Sequence, residues 1–307
     1  MTYARAPRGA GSQAGQSTVL AVLFMVALIA MMAAVLDVGS WMRTDRNLQA
    51  EADAAALAAA QELPDAPATA VAKAIEYGGK NGGHVSAGNV QIQTRVLAND
   101  TVSVTIQRTV PGVFSGIAGV DSATVHASAK ARAGVLTSAR YAAPIAVDIK
   151  HPLLQCKPTP CYGVPTTLDL EKVGPGAFRL LNLDDSHGGT GPSTVADWIE
   201  HGYDGYMPID WYFSDPGAKF NSSQIKNAMT HRVGDELLFP VYDITEKEGA
   251  NFEYHVIAWV GFRVSGFTAS GSGGTVSGSF TRVIWEGISG TETPDHNFGA
   301  RTVSLVD

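Results

Sequence analysis

The chain has 307 residues, of which 45% are hydrophobic and 17% are charged, and its net charge is -7. This length and hydrophobic content indicate a folded chain with a sizeable core and exclude a disordered one. The charge is spread without a block of Lys or Arg, so we expect no nucleic-acid partner. A charged fraction this low is unusual for a soluble protein and suggests a membrane anchor.

An apolar run near the N-terminus predicts one membrane span. Residues 19–36 read VLAVLFMVALIAMMAAVL and contain no charged or polar side chain. At about 1.5 Å per residue they give roughly 27 Å of helix, close to the roughly 30 Å hydrocarbon core of a bilayer. The span residues that we single out are Val19, Leu23, Phe24, Ile29 and Leu36.

A cleaved signal peptide is the competing interpretation of this run. Arg5 and Arg8 precede it and resemble the positive start of a signal peptide. However, the run is longer than the usual ~7 to 15 apolar residues of a signal peptide, and no clean A-x-A site follows it. We therefore expect an uncleaved, single-pass anchor.

Two cysteines bear on the orientation of the chain, because arginines flank the span on both sides and charge alone does not decide it. Cys156 and Cys161 lie in the turn-like segment CKPTPC. Such a pair could form a small-loop disulfide, which requires an oxidising compartment, or contribute to a zinc site. A structural zinc site needs four ligands, and no second Cys or His pair lies nearby. We favour the disulfide and an extracytoplasmic C-terminal region.

The helix is predicted to continue beyond the span. Residues 41–63 are rich in strong helix formers, and no helix breaker occurs before Pro64. Small apolar residues recur there at steps of three and four. This stripe packs either on the chain's own outer domain or on other membrane-anchored helices. Its members are Leu48, Ala52, Ala55, Ala59 and Leu63.

The N-terminal segment combines a Gly-Gln start, an apolar span ending in Asp-Val-Gly, an Arg, Leu-Gln, and Ala-Asp-Ala-Ala-Ala-Leu-Ala. In this pattern it resembles the TadE/TadG-like proteins of the Flp/Tad pilus-assembly system. The C-terminal half also resembles TadG-like proteins in its Cys-containing turn, Gly-rich loop and closing hairpin. The N-terminal pattern is carried by Gly15, Gln16, Asp37, Val38, Gly39, Arg46, Leu48, Gln49, Ala52, Asp53, Ala54, Ala55, Ala56, Leu57 and Ala58.

The resemblance implies a single-pass protein of a type IV-related pilus machine, with its bulk facing outward. Its expected partners are other pilus-assembly or pilin proteins and membrane lipid. One position departs from the pattern of processed pilins, which carry a Glu at the fifth position after the cleaved Gly. Leu20 occupies that position after Gly15. This departure argues against cleavage after Gly15 and incorporation as a major pilin.

The remainder of the chain predicts an α+β protein in three parts: an anchor and extended helix (1–63), a small α+β unit (64–140) and a β-rich, sandwich-like domain (141–307). The second part should hold a helix that stops at Gly78 and Gly79, and then alternating strands. The third should hold strands, one helical insertion and a mobile Gly-rich hairpin tip. The predicted helices are 66–77 and 193–201, the strands 90–97, 102–110, 123–131, 143–149, 166–170, 178–182, 236–242, 252–265 and 278–285, and the tip 266–277.

No motif for catalysis or cofactor binding occurs in the sequence. It lacks HExxH, GxSxG, a Walker loop, and a GxGxxG placed between a strand and a helix. The loop 184–189 offers oxygen ligands, but without the spacing of known calcium loops, so we expect an ordinary solvated loop. We predict no metal, no cofactor, no small-molecule substrate and no enzymatic activity.

The sequence therefore favours a non-catalytic component of Flp/Tad-type pilus assembly or anchoring, held in the cytoplasmic membrane with its C-terminal domain outside. Two alternatives remain open. One is a membrane-tethered, adhesin-like binding module, and the other is a tethered extracellular hydrolase, which would require a pocket with convergent reactive side chains.

Overall fold

One unbroken helix, α1, forms the N-terminal part of the protein and spans Ala14–Ala60. At 1.5 Å per residue it is about 70 Å long, more than twice the thickness of a bilayer core. Alanine and leucine, which favour helix, dominate it, and Pro64 follows shortly after its end. The computed structural model describes residues 14–170, 179–184, 186, 188–216, 219–247, 251–270 and 273–307.

Three shorter helices and two β-sheets complete the described fold, so the predicted α+β class is confirmed. The short helices are α2 (Pro67–Asn81), α3 (Pro192–His201) and α4 (Ser223–His231). Single 3-10 turns occupy Ala87–Asn89 and Ser115–Ala118. The strands are β1 (Val90–Gln93), β2 (Thr101–Pro111), β3 (Ser122–Ala139), β4 (Val147–Asp148), β5 (Pro165–Asp169), β6 (Met207–Pro208), β7 (Trp211–Phe213), β8 (Glu236–Glu246), β9 (Glu253–Ser270), β10 (Gly273–Thr281), β11 (Val283–Ile284), β12 (Gly287–Ser289) and β13 (Ala300–Val306).

The first sheet supports the long helix. Its order is β1-β2-β3-β13-β11, and β6 and β12 also pair with β3. Strand β3 runs antiparallel to β2 on one side and to β13 on the other. The last strand of the chain therefore lies beside a strand from the predicted middle unit. The division of the chain at residue 140 stays a prediction.

The second sheet has the order β4-β8-β9-β10-β5, with β7 paired to β9. Its core contains stacked and edge-on aromatic rings from three strands: Phe239, Phe262 and Phe280. Helices α3 and α4 bury Ile199 and Met229 in the same cluster. Burial of such large apolar side chains stabilises this half of the molecule.

Helix α2 is longer than the sequence predicts. The predicted helix 66–77 was expected to stop at Gly78, but α2 continues to Asn81 and is capped by Gly82. Gly78 is buried, and a Cβ atom added to it would lie 2.5 Å from the Val85 side chain. This glycine therefore serves close packing, and the tertiary contact outweighs its low helix propensity.

Strand β1 is shorter than predicted because a side chain accepts hydrogen bonds from the backbone amides that would continue the strand. The predicted strand 90–97 ends at Gln93. The Asp100 carboxylate accepts hydrogen bonds from the backbone amides of Arg95, Val96 and Leu97 at 2.9 to 3.0 Å. Amides that donate to a side chain cannot also join a strand ladder, so the segment turns instead.

Elsewhere most predicted boundaries shift without changing the class, but the described residues of the predicted strand 178–182 form only isolated bridges, at Leu180 and Leu181. Strand β3 extends eight residues beyond the predicted 123–131, to Ala139, and only Val147–Asp148 of 143–149 forms a strand. Most of the predicted hairpin tip 266–277 belongs to β9 and β10, and helix α4 was not predicted. Phe178, the first residue of the predicted strand 178–182, lies outside the described residues.

Candidate functional site

The first half of α1 is apolar and exposed. The five predicted span residues keep between 55% and 65% of their surface exposed. Of the helices that the structure describes, α1 alone is long and apolar enough to cross a membrane, and an 18-residue stretch of it has a mean hydropathy of 3.0. A surface this apolar has no suitable place in water, so the helix suggests a single-pass membrane anchor.

The second half of α1 is small and buried. Ala52, Ala55 and Ala59 are fully buried, and Leu48 and Leu63 are 2% and 1% exposed. This stripe packs in one cluster with α2 and with strands β2 and β3. The sequence left two packing partners open for this stripe, and in the structure it packs on the chain's own domain.

Asp37 lies at the junction of the two halves and is only 3% exposed. Its carboxylate accepts hydrogen bonds from the backbone amides of Val113, Phe114 and Ser115 at 3.0, 2.9 and 2.6 Å. Hydrogen bonds to an ionised carboxylate are strong, and three of them compensate for removing its charge from water. Asp37 thereby fastens the β2–β3 connection to the helix.

Two further polar contacts fix the second half of α1. Glu51 is 1% exposed; it accepts the His84 amide at 2.6 Å and lies 2.8 Å from the ring Nδ1 of His84. Gln49 Nε2 donates to Asp53 Oδ1 at 2.7 Å and to the Ser128 carbonyl at 3.1 Å. The partners of Glu51 and Asp37 are distant in sequence, so no local sequence pattern predicts these contacts.

Two family-pattern residues lie on the opposite side of α1. Gly39 and Arg46 are both exposed, and nothing lies within 4 Å of a Cβ atom added to Gly39. At about 100° per residue, they lie two turns apart on one face, roughly opposite Asp37 and Leu48. Among the described residues, Arg46 forms no ion pair. This face takes no part in packing against the domain.

The remaining predicted residues are spread along the chain. Gly15 and Gln16 lie in the first turn of α1. Cys156 and Cys161 are joined by a disulfide, as the sequence predicts. Two residues of the predicted solvated loop 184–189, Asp185 and His187, lie outside the described residues.

One cavity deserves comparison with an active site. It has a volume of about 580 Å³, and its wall includes His255, which pairs with Asp243 at 2.8 Å from Nδ1 to Oδ1. Within the described part of the chain, no Ser, Thr or Cys side chain is hydrogen-bonded to His255. No three His, Cys, Asp or Glu side chains come together as metal ligands in the same residues. The cavity thus lacks an assembled nucleophile and base.

A comparison with known families identifies the helix. Residues 15–62 match the family model described as "Putative Flp pilus-assembly TadE/G-like". The match covers nearly the whole of α1 and the short turn after it, and it agrees with the resemblance predicted from the same segment. Searches of curated proteins and of solved structures found no match. The TadE/G-like helix is therefore the part of the chain that the comparisons describe.

Proposed function

We propose that the protein is a non-catalytic component of Flp-type pilus assembly or anchoring. The first half of α1 holds it in the cytoplasmic membrane, and the domain that follows lies outside the cytoplasm. The observation that carries this proposal is the match of residues 15–62 to the TadE/G-like pilus-assembly family. A pilus-related role and a membrane anchor follow from that match and from the apolar helix.

The partner contact is proposed for the outward face of α1. Asp37, Leu48 and Ala55 serve the fold of this chain, which accounts for their place in the family pattern. Gly39 and Arg46 are exposed, a Cβ atom added to Gly39 would meet nothing within 4 Å, and Arg46 forms no ion pair among the described residues. A glycine permits a second helix to approach closely, and an arginine offers five donors to an acidic or carbonyl partner.

The orientation and the lack of catalysis rest on separate observations. Disulfides persist in oxidising compartments, and the Cys156–Cys161 bond supports an extracytoplasmic domain. Among the described residues, no nucleophilic side chain contacts the imidazole of His255, so this cavity does not add support to the tethered hydrolase.

Site-specific crosslinking tests this function. A photo-crosslinking amino acid is placed at Arg46 of the full chain in its native membranes, and crosslinked partners are identified by mass spectrometry. The control position is Arg263, which is also exposed but lies on β9 in the second sheet. We expect pilins or pilus-assembly proteins to crosslink at Arg46 and to be absent or reduced at Arg263.

Other outcomes would contradict the proposal. Partners from the pilus system at neither position would remove its main prediction. Capture of an extracellular ligand at Arg263 would favour the adhesin-like alternative. Turnover of a substrate that is lost on replacing His255 would favour the tethered hydrolase.

A further inference from the structure

The connection between β2 and β3 forms an apolar protrusion at the outer end of the membrane span. We propose that this connection, residues 112–121, is a second membrane contact in which the side chains of Val113, Phe114 and Val120 enter the lipid beside α1, while Asp37 holds it in place. The inference rests on the membrane anchoring proposed above, but not on the pilus role. It goes beyond that role because it assigns a lipid-binding surface to the folded domain itself.

The loop exposes large apolar side chains without an evident partner in its own fold. Val113 is 72% exposed, Phe114 is 40% exposed and Val120 is 48% exposed. The loop reads GVFSGIAGVD, with a single charged residue at its end, Asp121. Contiguous exposed apolar residues of this kind mark a contact surface.

The loop lies at the depth of the lipid boundary. Asp37 directly follows the apolar run 19–36, and helical side chains tilt toward the N-terminus, so its carboxylate lies at the level of the preceding turn. The loop amides that bind this carboxylate are therefore level with the last turn of the run. Ala33, one turn before Asp37 on the same face, is half-buried, whereas Met32 and Leu36 are each 60% exposed.

Backbone amides of the loop are hydrogen-bonded within the protein, which suits a medium without water. The amides of Gly112, Gly119 and Val120 donate to the carbonyls of Asp121, Gly116 and Ser115, at 2.9 to 3.1 Å. The amides of residues 113–115 donate to Asp37. In lipid, each unsatisfied backbone amide costs several kcal/mol, so this internal pairing makes insertion possible.

Lipid is the occupant that the surroundings favour. At about 100° per residue, the exposed Val26 and Ala30 lie on the same face of α1 as Asp37, so the loop is held over a face of the helix that is exposed along the span. A protein partner on the loop would have to displace lipid from this end of the span as well. With two contacts, the helix and the loop, the domain is held at a fixed orientation to the membrane and does not swing on one helix.

Spin labels on the full chain in lipid nanodiscs test the inference. Nitroxides are attached in separate variants to cysteines that replace Val26 in the span, Val113 in the loop and Ile288 on β12. The native cysteines are joined in a disulfide and do not react with the label. All three positions carry exposed β-branched residues, with 59%, 72% and 55% of their surface exposed.

Ile288 is a suitable water control because β12 pairs with the far end of β3, where Ile288 lies opposite Ser138. The loop leads into the other end of β3, at Ser122. At about 3.3 Å per residue, the two ends of the strand are roughly 50 Å apart. Oxygen concentrates in lipid and a nickel chelate stays in water, so the ratio of their collision rates reports the depth of each label.

We expect the ratio of oxygen to nickel collisions at Val113 to be several-fold higher than at Ile288 and to approach that at Val26. Adding Asp37→Asn to the Val113 variant should lower its ratio several-fold, because the loop is then less firmly held. A ratio at Val113 equal to that at Ile288, with Val26 in lipid, would overturn the loop contact and leave the anchor intact.

Two further results also distinguish the loop contact from the membrane anchor of the proposed function. Low collision rates at Val113 with both reagents would mean that protein covers the loop, which overturns the lipid contact in favour of a second copy. A low ratio at all three positions, Val26 included, would overturn the membrane anchor of the proposed function together with the loop contact.

Discussion

The two halves of α1 have similar helix propensity and opposite surroundings. Up to Leu36 the helix carries large apolar side chains, and the described ones are mostly more than half exposed. From Leu48 onward it carries alanines, most of which are almost completely buried against the rest of the domain. Large apolar side chains are exposed in the first half and small ones are buried in the second, so side-chain size, and not helix propensity, distinguishes the exposed half from the half that packs closely on a sheet.

The two halves meet at one charged side chain. Asp37 would be costly next to lipid, yet it is also where the domain first contacts the helix. Its three backbone donors compensate for that cost, and they also attach the domain to the helix. The junction between the two environments is therefore set by a hydrogen-bonded group, and the halves should respond differently to the same substitution.

The largest effect on stability is expected from enlarging a buried alanine of the second half, compared with the same change at an exposed alanine of the first half. Ala55→Leu adds three carbon atoms at a fully buried position that faces the sheet, which should lower the free energy of unfolding by about 3 kcal/mol. Ala30→Leu makes the same change at an exposed position of the first half. It should change stability by less than about 0.5 kcal/mol.

Urea unfolding of the full chain in detergent micelles, followed by tryptophan fluorescence, measures both variants. Equal losses in the two variants would mean that the halves do not differ in packing. No loss in either would mean that the domain does not pack on the alanine stripe in solution.

The second effect concerns the last strand, which holds the end of the buried half. Arg301 on β13 is 6% exposed and pairs with Asp65, just after α1, and with the Leu63 carbonyl. Asp65→Ala removes the carboxylate and leaves the buried guanidinium with fewer partners, so we expect a loss of about 2 kcal/mol.

The matched control for Asp65→Ala is Asp204→Ala. Asp204 also pairs with an arginine, Arg140, but 69% of its side chain is exposed, so the loss should be below about 1 kcal/mol. The same urea titration compares the two variants. A larger loss of stability for Asp204→Ala than for Asp65→Ala would contradict the conclusion that the last strand holds the end of α1.

The division of α1 could be predicted from sequence, whereas the contacts that fasten it could not. The apolar run and the alanine stripe are local patterns with helical spacing, so the continuous helix was predicted correctly, whereas the packing partner of the stripe was left open. The sequence identified Asp37 only as a residue of the family pattern and not its contacts, because its donors lie 76 to 78 residues away in the chain. The buried Glu51 and the pairing of β13 with β3 are equally long-range.

The errors within the domain have a more local origin. The sequence predicts a helix stop at Gly78, but Val85 packs against this glycine, and it predicts one strand over 90–97, but the Asp100 carboxylate binds the amides of its last residues. In each case a side chain a few positions further along the chain outweighs the backbone preference of the segment. The family pattern identified which α1 residues matter, but only the structure separates those used for folding from the exposed Gly39 and Arg46.

A smaller and more local effect is expected from weakening the junction itself. Asp37→Asn leaves one acceptor oxygen for the three amides of residues 113–115, and the charge that strengthens these bonds is lost. A loss of about 1 kcal/mol corresponds to about fivefold faster hydrogen exchange in that segment. Mass spectrometry of the exchanged loop peptide measures this rate.

Asp53→Asn is the control for the junction, since Asp53 lies on the same helix and accepts from Gln49, without contact to the loop amides. Its loop should exchange at the unmodified rate. Protection of residues 113–115 that survives Asp37→Asn unchanged would show that the loop is held by other contacts.

The smallest effect is expected from mild acid, which should weaken the domain and leave the lipid-facing half of α1 unchanged. Residues 17–36 contain no titratable side chain. In the domain, burial against Phe280 lowers the pKa of His151 below its usual 6.5, and the nearby charge of Arg179 adds to the shift. The amide of Leu153 donates to the His151 Nδ1 atom at 3.2 Å, a contact that requires an unprotonated Nδ1.

The direction of the pH effect follows from this shift. The unfolded chain binds the proton at higher pH than the folded domain does, so the contribution of neutral His151 is present above the unfolded pKa and is lost as the pH falls through it. Unfolding midpoints at about pH 7 and about pH 5 should therefore differ less for His151→Phe than for the unmodified chain. The exposed His201 provides the control variant His201→Phe, which should keep the full difference. If His151→Phe kept the full difference as well, another group would set the acid sensitivity of the domain on which the buried half of α1 depends.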